Sequence, residues 1–197
     1  MPWLIAGLGN PGPEYERSYH NLGFLTIDRL AERNGIRVTR MDSKALVGLG
    51  TFGNLDVLLA KPQTFMNLSG TSVKALADKY SVEIPRILVI YDELDIPWTG
   101  LRIRSTGSAG GHHGIEDVIK RLGTKDFPRI RLGIHPGHPV RNGAEFVLSQ
   151  VKKAQAQDLD ELLDHAAAAT ESILAEGAEK AMTKFNRRAR GLTKEEE

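Results

Sequence analysis

A short apolar segment at the start of the chain, Trp3 to Leu8, breaks abruptly into a Gly/Pro-rich turn that carries Asn10. The apolar run predicts a buried strand. In open α/β sheets, buried strands deliver polar groups to their carboxyl ends, and ligands bind there. His20 follows ten residues after Asn10, and a histidine is the side chain best suited to move a proton near neutral pH. The first residues therefore predict a ligand site at the end of the first strand.

Further strands and helices follow in alternation. The segment Arg86–Tyr91 is the clearest central strand, because its Ile-Leu-Val-Ile run can be buried on both faces. Two β-rich runs, Ala45–Phe52 and Leu55–Lys61, flank Gly53-Asn54, which is typical of a tight hairpin. The other predicted elements are helices over Leu22–Asn34, Leu68–Tyr80 and Ile115–Leu122, strands over Leu101–Arg104 and Ile130–Ile134, and helical structure from about Asp158 to Arg190, broken near Gly177.

This order predicts an α/β fold: a single domain with a central mixed, largely parallel twisted sheet surrounded by helices. We expect residues 1–190 to form that domain and residues 191–197, which end in three glutamates, to form a flexible acidic tail. No apolar run is long enough to cross a bilayer, and the N-terminus lacks the layout of a signal peptide. We therefore expect a cytoplasmic protein without membrane contact.

Composition excludes several kinds of chemistry. The chain contains no cysteine, so it has no disulfide framework, no thiol nucleophile and no cysteine-ligated zinc. The formal net charge is only +1, and it does not by itself indicate a nucleic-acid partner. Basic residues nevertheless cluster locally. They lie at Arg102 and Arg104, at Arg129 and Arg131, and along Lys180, Lys184, Arg187, Arg188 and Arg190.

The segment Gly7-Leu-Gly-Asn-Pro-Gly12 formally matches the dinucleotide-binding pattern G-x-G-x-x-G. Its third glycine should lie inside the opening helix, yet Pro11 and Pro13 bracket Gly12, and proline disrupts a helix interior. We therefore expect the helix to begin later, away from any pyrophosphate. No acidic residue stands at the expected distance after a second strand. A nucleotide-dependent oxidoreductase is the weaker alternative.

A histidine with a carboxylate offers hydrolytic chemistry. Asp92 follows the Arg86–Tyr91 strand, at the mouth of the sheet, where it can orient the imidazole of His20. A carboxylate that accepts a hydrogen bond from one ring nitrogen leaves the other nitrogen to deprotonate water. Asp92 can equally be read as a turn or cap residue. No G-x-S-x-G elbow is present, so activated water is the more economical nucleophile.

Two other segments allow a local and a functional interpretation. Asn67 precedes a predicted helix, and from the residues alone helix capping by Asn67 or Ser69 is preferred. In the alternative, functional interpretation, the carboxamide of Asn67 points toward the carboxyl edge of the sheet, and Phe65 and Met66 form an apolar wall beside it. The segment Gly110–Gly114 holds two adjacent histidines, which suggests a metal. Adjacent side chains point apart, and no acidic residue lies at a recurring ligand spacing, so we favour a loop that lets substrate approach the backbone.

Taken together, these segments closely resemble bacterial peptidyl-tRNA hydrolase. The resemblance covers nearly the whole chain in collinear order, and its motifs are far more specific together than singly. They are Gly7–Gly12, Tyr15, His20–Gly23, Thr64–Gly70, Asp92–Asp95, Gly110–Gly114, Arg131–Ile134 and Glu145–Leu148.

The resemblance implies a monomeric enzyme, without metal or cofactor, that hydrolyses the ester between peptide and tRNA. It implies that His20 activates water, that Asp92 holds and polarises His20, and that Asn10 reads the peptide side. The implied substrate-binding residues are Tyr15, Phe65, Met66, Asn67 and His113, and the implied contacts to tRNA phosphates are Arg104 and Arg131.

One position departs from the resemblance. The family usually has asparagine where this chain has His113. A carboxamide is donor and acceptor at once, whereas a neutral imidazole separates these roles on two ring edges. This replacement is the one feature that favours the alternative of a non-catalytic RNA-binding module on the same scaffold.

Overall fold

The computed structural model describes residues 2–186. These residues form a seven-stranded sheet. In chain order its strands are β1 (Trp3–Gly7), β2 (Arg40–Asp42), β3 (Ala45–Phe52), β4 (Leu55–Pro62), β5 (Ile87–Pro97), β6 (Leu101–Arg104) and β7 (Arg129–His135). The helices are α1 (Leu22–Asn34), α2 (Ser69–Lys79), α3 (His113–Leu122), α4 (Gly143–Leu148), α5 (Ala156–Glu176) and α6 (Ala178–Phe185).

The sheet is mixed, as predicted. Its strand order is β2-β3-β4-β1-β5-β7-β6. The four central strands, β4, β1, β5 and β7, run parallel to one another. The outer strands are antiparallel: β2 and β3 form one edge next to β4, and β6 forms the other edge next to β7. The parallel part therefore lies in the centre, where helices cover both faces.

The core consists of two apolar layers, one on each face of the sheet. On β1, Ile5 packs into the layer that α1 and α5 cover. Its neighbours Leu4 and Ala6 point the other way, into the layer covered by α2 and α3. Successive strand residues alternate between faces, so a central strand buried on both sides must be apolar throughout. The predicted sheet surrounded by helices is confirmed.

Two glycines bring α1 unusually close to the end of β1. A Cβ atom on Gly7 would lie 2.1 Å from the carbonyl oxygen of Gly23. A Cβ atom on Gly23 would lie 2.4 Å from both Ile90 O and Leu8 N. Only glycine allows these backbones to touch. This contact seats the start of α1, and the turn just before it, at the carboxyl edge of the central strands.

The strand that carries Asp92 is longer than predicted. β5 continues to Pro97, and Asp92 pairs with Leu132 of β7 inside the strand, not after it. The polar residues Asp92 to Asp95 mark the sheet mouth, but backbone pairing with β7 continues past them. β2, absent from the sequence prediction, adds three residues to the hairpin edge.

The C-terminal helical region breaks at Gly177, as predicted, because α5 ends at Glu176 and α6 begins at Ala178. The predicted acidic tail, residues 191–197, and the basic residues Arg187, Arg188 and Arg190 lie outside the described residues. Across residues 2–186, no helix combines the length and the apolar character required to span a membrane.

Candidate active site

His20 and Asp92 meet at the carboxyl edge of the sheet. His20 lies on a 3-10 turn, Tyr19–Asn21, that leads directly into α1, and Asp92 projects from β5. The Nδ1 atom of His20 lies 2.8 Å from Oδ2 of Asp92. The carboxylate can only accept, so Nδ1 carries the proton and Nε2 keeps its lone pair. His20 retains 12% side-chain exposure and Asp92 only 1%, so the base stays reachable while its partner is buried.

A second imidazole, His112, binds the other oxygen of the same carboxylate. Its Nε2 atom lies 3.0 Å from Oδ1 of Asp92. Its Nδ1 atom accepts a hydrogen bond from the backbone N–H of Ile115 at 3.2 Å, which caps α3. Because Nδ1 accepts, the proton of the neutral ring sits on Nε2 and is donated to Asp92. Among the described residues, Asp92 is therefore held by one ring N–H on each oxygen.

Sequence reasoning chose His113 from the Gly110–Gly114 motif and gave His112 no role. The two adjacent histidines do point apart: His112 contacts Asp92 and His113 contacts Glu116. Because they point apart, the sequence already indicates that at most one of them faces the site. Sequence could not say which one. That depends on where α3 begins, and it begins at His113, with His112 as its cap.

Burial and hydrogen bonding set the charge state of the pair. Burial by itself would raise the pKa of Asp92, but its attraction to His20 and His112 and the two hydrogen bonds hold the pKa well below its usual value. Burial by itself would lower the pKa of His20, but the charge and hydrogen bond of Asp92 outweigh burial and raise it. Asp92 is therefore ionised at neutral pH, and His20 acts as a base above its raised pKa.

Asn10 is locked in place by two neighbours. Its backbone N–H donates to Oδ1 of Asn21 at 2.8 Å, and Nδ2 of Asn21 donates back to the Asn10 carbonyl at 2.9 Å. The Oδ1 atom of Asn10 accepts from the backbone N–H of Met66 at 2.7 Å. This bond orients the amide, so its Nδ2 is the end left to donate to another molecule. The His20–Gly23 motif contains Asn21, but the sequence alone does not indicate that Asn21 positions Asn10.

The segment before α2, which carries Phe65 and Met66, has an unusual backbone. Phe65 has φ = 29°, a conformation that L side chains rarely adopt, and remains 56% exposed. Met66 is buried, and its Sδ atom would lie 2.5 Å from a Cβ atom added at Gly114. The glycine thus lets the start of α3 pack directly on Met66. Phe65 presents an aromatic ring to solvent beside this contact.

The preferred sequence interpretation of Asn67, as a helix cap, is wrong. Asn67 lies inside the 3-10 turn Met66–Leu68, and no side chain caps α2. The Ser69 hydroxyl donates to the Met66 carbonyl at 2.7 Å, so it is not a cap either. The 3-10 turn continues directly into α2, so carbonyls of the turn take the place of a side-chain cap. The side chain of Asn67 is left exposed.

Two predicted substrate-binding residues share a shallow cavity outside the catalytic pair. Asn67 and His113 line a space of about 180 Å³ at the start of α3. His113 is exposed, and its Nδ1 atom lies 3.4 Å from Oε2 of Glu116. Tyr15 lies half-buried on the turn Pro13–Tyr15, and its carbonyl accepts from the backbone N–H of Ser18. It is thus joined through the backbone to the turn that bears His20.

The two predicted phosphate contacts, Arg104 and Arg131, line another cavity, beside the glycine-rich loop after β6. Nη1 of Arg131 lies 3.3 Å from Oε1 of Glu93. Burial, together with Arg131 and Arg102, lowers the pKa of Arg104, as expected where cations crowd one another. Tyr91 also lines this cavity and packs edge-on against His112, the second partner of Asp92, so the cavity adjoins the catalytic pair.

His20, Asp92 and His112 also form a cluster of potential metal ligands. Their ligand atoms lie within 4.8 Å of one another, which holds for no other group of three such residues in the described part of the chain. Each ring nitrogen that faces Asp92 already makes a hydrogen bond to it. A metal ion would have to displace both bonds, so the arrangement fits a hydrogen-bonded relay.

Comparison with known proteins identifies the family. A family model described as peptidyl-tRNA hydrolase matches residues 4–194. The peptidyl-tRNA hydrolase of Solibacter usitatus is 60% identical over 98% of this chain and 99% of its own length. That of Koribacter versatilis is 50% identical over 94% of this chain and 92% of its own. The crystal structure of peptidyl-tRNA hydrolase from Acinetobacter baumannii superimposes with a TM-score of 0.88 at 32% identity, covering 95% of each chain. This chain, whose histidine–carboxylate pair lies at the sheet edge, belongs to the peptidyl-tRNA hydrolase family.

Proposed function

We propose that the chain hydrolyses the ester bond between peptide and tRNA in peptidyl-tRNA, with water activated by His20 as the nucleophile. The observation that carries this proposal is the 2.8 Å contact from Nδ1 of His20 to Asp92, which leaves Nε2 free to accept a proton. Membership of the family supplies the substrate class.

In the first step, Nε2 of His20 takes a proton from water as the water oxygen attacks the ester carbonyl carbon. Asp92 keeps the ring oriented and stabilises the imidazolium that forms. In the second step, the bond from the carbonyl carbon to the ribose oxygen breaks. The ribose oxygen leaves with the proton from His20. The products are a peptide with a free carboxyl group and tRNA with a free hydroxyl group.

Asn10 is the proposed donor on the peptide side. Its oxygen is held by the Met66 N–H, so Nδ2 points its hydrogens at the substrate. Such a donor can hydrogen-bond a peptide carbonyl or the developing oxyanion, and a donor already fixed in place costs no reorganisation. Asn67, exposed on the neighbouring turn, is the second candidate for the oxyanion.

The remaining contacts are assigned by position. Phe65 offers an exposed ring on which a base or ribose can stack, and Met66 closes the apolar wall below it. Tyr15, on the turn before His20, and His113, at the start of α3, are the further proposed substrate contacts. Arg104 and Arg131 meet tRNA phosphates, which fix an RNA in position without reading its sequence.

We further propose that the enzyme acts as a monomer in the cytoplasm without metal or cofactor, and that residues 1–190 form its catalytic domain. The match of the family over residues 4–194 supports one catalytic unit of this extent. The hydrogen bonds of both imidazoles to Asp92 support a mechanism that needs no metal. The alternative of a non-catalytic RNA-binding module gains nothing from this geometry, since a buried carboxylate shared by two imidazoles has no use in phosphate binding.

The proposal is tested with His20→Ala and an N-blocked aminoacyl-tRNA as substrate. Loss of a general base is expected to lower turnover by about 10²- to 10⁴-fold. RNA affinity should stay close to that of the wild type, because Arg104 and Arg131 rather than His20 are the proposed phosphate contacts, and the variant should remain folded because His112 still donates to Asp92. The matched control is His138→Ala, an exposed histidine outside the site, which should retain full turnover. Turnover of His20→Ala within a few-fold of wild type would remove His20 from the mechanism.

A further inference from the structure

Tyr19, the residue immediately before His20, points into the protein core. Both residues lie on the 3-10 turn Tyr19–Asn21. Such a turn has about three residues per turn, so successive side chains point in different directions. The side chain of His20 reaches Asp92, whereas Tyr19 is only 3% exposed and belongs to the apolar layer covered by α1 and α5. An effect of Tyr19 on the reaction must therefore pass through His20.

The phenol of Tyr19 contacts three other segments of the chain. It stacks on Phe146 of α4, with ring centres 4.9 Å apart and ring planes 17° apart. It meets Trp98, in the turn between β5 and β6, edge-on at 5.6 Å. Its hydroxyl donates to Oε1 of Gln155, just before α5, at 2.6 Å. Burial raises the pKa of this phenol, so the hydroxyl keeps its proton and remains a donor.

Backbone contacts hold the same turn against the segment that follows α4. Ser18 forms an antiparallel bridge with Gln150. The N–H of Tyr19 donates to the Ser149 carbonyl at 3.1 Å. Residues 146–155, which we call the strap, thus contact the turn both through their backbone and through the phenol of Tyr19.

The turn needs these contacts to place His20. Hydrogen-bond geometry is poorer in a 3-10 turn than in an α-helix, so contacts from outside the turn decide where its side chains lie. After His20, the side chain of Asn21 is bonded to the backbone of Asn10. Before His20, Tyr19 is bonded to the strap. The base therefore lies between two residues that different parts of the protein hold in place.

We infer that Tyr19 is a positioning residue for the reaction: its contacts with the strap hold the turn in the place where His20 meets Asp92. The inference rests on the proposed function, in which His20 is the base. It adds a side chain that touches neither the substrate nor the reacting atoms. A displacement of about 1 Å at a reacting group can lower a rate about 10²-fold. Loss of the Tyr19 contacts should therefore slow the chemical step and leave substrate affinity unchanged.

The pKa of His20 reports whether its contact with Asp92 is intact. Burial by itself lowers this pKa, and the charge and hydrogen bond of Asp92 raise it above its ordinary value. His112 also faces the ring, with ring centres 5.1 Å apart. If the turn moves away from Asp92, the pKa of His20 falls, because the raising contribution weakens. A loss of stability elsewhere in the fold leaves this pKa unchanged.

Two substitutions separate the hydroxyl of Tyr19 from its ring. Tyr19→Phe removes the hydrogen bond to Gln155 and keeps the ring contacts, whereas Tyr19→Leu removes both. The matched controls are Tyr80→Phe and Tyr80→Leu. Tyr80 is a half-buried tyrosine at the end of α2, outside the site, and its hydroxyl donates to Oδ2 of Asp42 at 2.8 Å.

The first measurement is an NMR titration of the His20 ring in the full chain without RNA. The signal of His20 is assigned from its loss in His20→Ala. The pKa of His20 should fall in Tyr19→Leu and fall less in Tyr19→Phe. It should keep its wild-type value in both Tyr80 variants.

The second measurement is hydrolysis of N-blocked aminoacyl-tRNA by the same proteins. At a pH where His20 is neutral, Tyr19→Leu should lower kcat about 10- to 100-fold, with KM within about twofold of the wild type. The rise of its activity with pH should begin at lower pH than in the wild type. Tyr19→Phe should lie between the two, and the Tyr80 variants should match the wild type.

The outcomes distinguish positioning from a purely structural role. A wild-type His20 pKa in folded Tyr19→Leu, or a loss of kcat no larger than in Tyr80→Leu, would overturn the inference. If Tyr19→Leu does not fold, Tyr19→Phe decides: an unchanged pKa or an unchanged kcat overturns the inference. If the wild type hydrolyses no ester but the pKa of His20 falls in the Tyr19 variants, the proposed function fails while the placement of His20 by Tyr19 stands.

Discussion

Asparagine has nearly the same shape as aspartate, yet Asp92→Asn should stop Nε2 of His20 from accepting a proton. His112 uses Nδ1 to accept the Ile115 N–H, so its Nε2–H needs an acceptor at position 92. The side-chain oxygen of the new asparagine must therefore face His112, and its NH₂ group must face Nδ1 of His20. His20 would then accept at Nδ1 and carry its proton on Nε2, the atom that has to receive a proton from water.

The expected loss can be estimated from this tautomer change. In the serine protease triad, the equivalent aspartate-to-asparagine change lowers kcat by about 10⁴-fold through the wrong tautomer. We expect a loss of about 10³- to 10⁴-fold here, or about 4 to 5.5 kcal/mol of barrier. The assay is single-turnover hydrolysis of N-blocked aminoacyl-tRNA at saturating enzyme, which isolates the chemical step from binding.

A double variant tests the reason for the loss. Adding His112→Leu to Asp92→Asn removes the N–H that fixes the amide, so the amide can turn its oxygen toward His20. The double variant should then be faster than Asp92→Asn alone, although His112→Leu by itself removes a helix cap worth about 1 kcal/mol of stability. As the matched control, His112→Leu with Asp92 intact should keep most of its activity, because the carboxylate still holds His20.

The pH dependence gives a second readout of the same charges. His20 works as a base only when neutral, and Asp92 raises its pKa, so activity of the wild type should rise with pH through a value above that of an ordinary histidine. Without the carboxylate charge, the double variant should show this rise at lower pH. Asp92→Asn activity within tenfold of wild type, or a double variant no faster than the single one, would refute the tautomer explanation.

Two further predictions concern stability. Gly23→Ala should lower the free energy of unfolding in urea by about 1 to 3 kcal/mol or more, and should lower activity, because the added Cβ would lie 2.4 Å from backbone atoms. The control is Gly107→Ala, where a Cβ would meet no atom within 4 Å. This variant should change the free energy of unfolding by less than about 0.5 kcal/mol. Hydrogen bonds from Lys79 and Tyr80 hold the pKa of Asp42 well below its usual value, so its contribution to stability is present at neutral pH and is lost as pH falls through the folded-state pKa. Asp42→Asn should therefore unfold at lower temperature than wild type at pH 7 and by a smaller margin in strong acid, and equal margins at both pH values would contradict this.

Much of the fold follows from local patterns in the chain. The Ile-Leu-Val-Ile run of β5 favours a strand buried on both faces, and the hairpin through Gly53-Asn54 joins β3 and β4 as the turn residues predict. α1 runs over Leu22–Asn34, with Gly35 in the left-handed conformation at its end. Periodicity and turn chemistry are properties of neighbouring residues, so a sequence displays them directly. The bounds that were missed, such as the continuation of β5 to Pro97, depend on pairing with β7, a partner distant in the chain.

The sequence by itself determined the chemical groups of this protein: a histidine after the first strand, a carboxylate in the central strand, and amides and arginines in recognisable motifs. Tertiary structure decided how they are paired. It chose His112 over His113 as the second partner of Asp92, placed Asn67 inside a 3-10 turn rather than at a helix cap, and paired Arg131 with Glu93. The reason is that each choice satisfies a buried donor or acceptor from a different element, and such matches exist only once the sheet has brought those elements together.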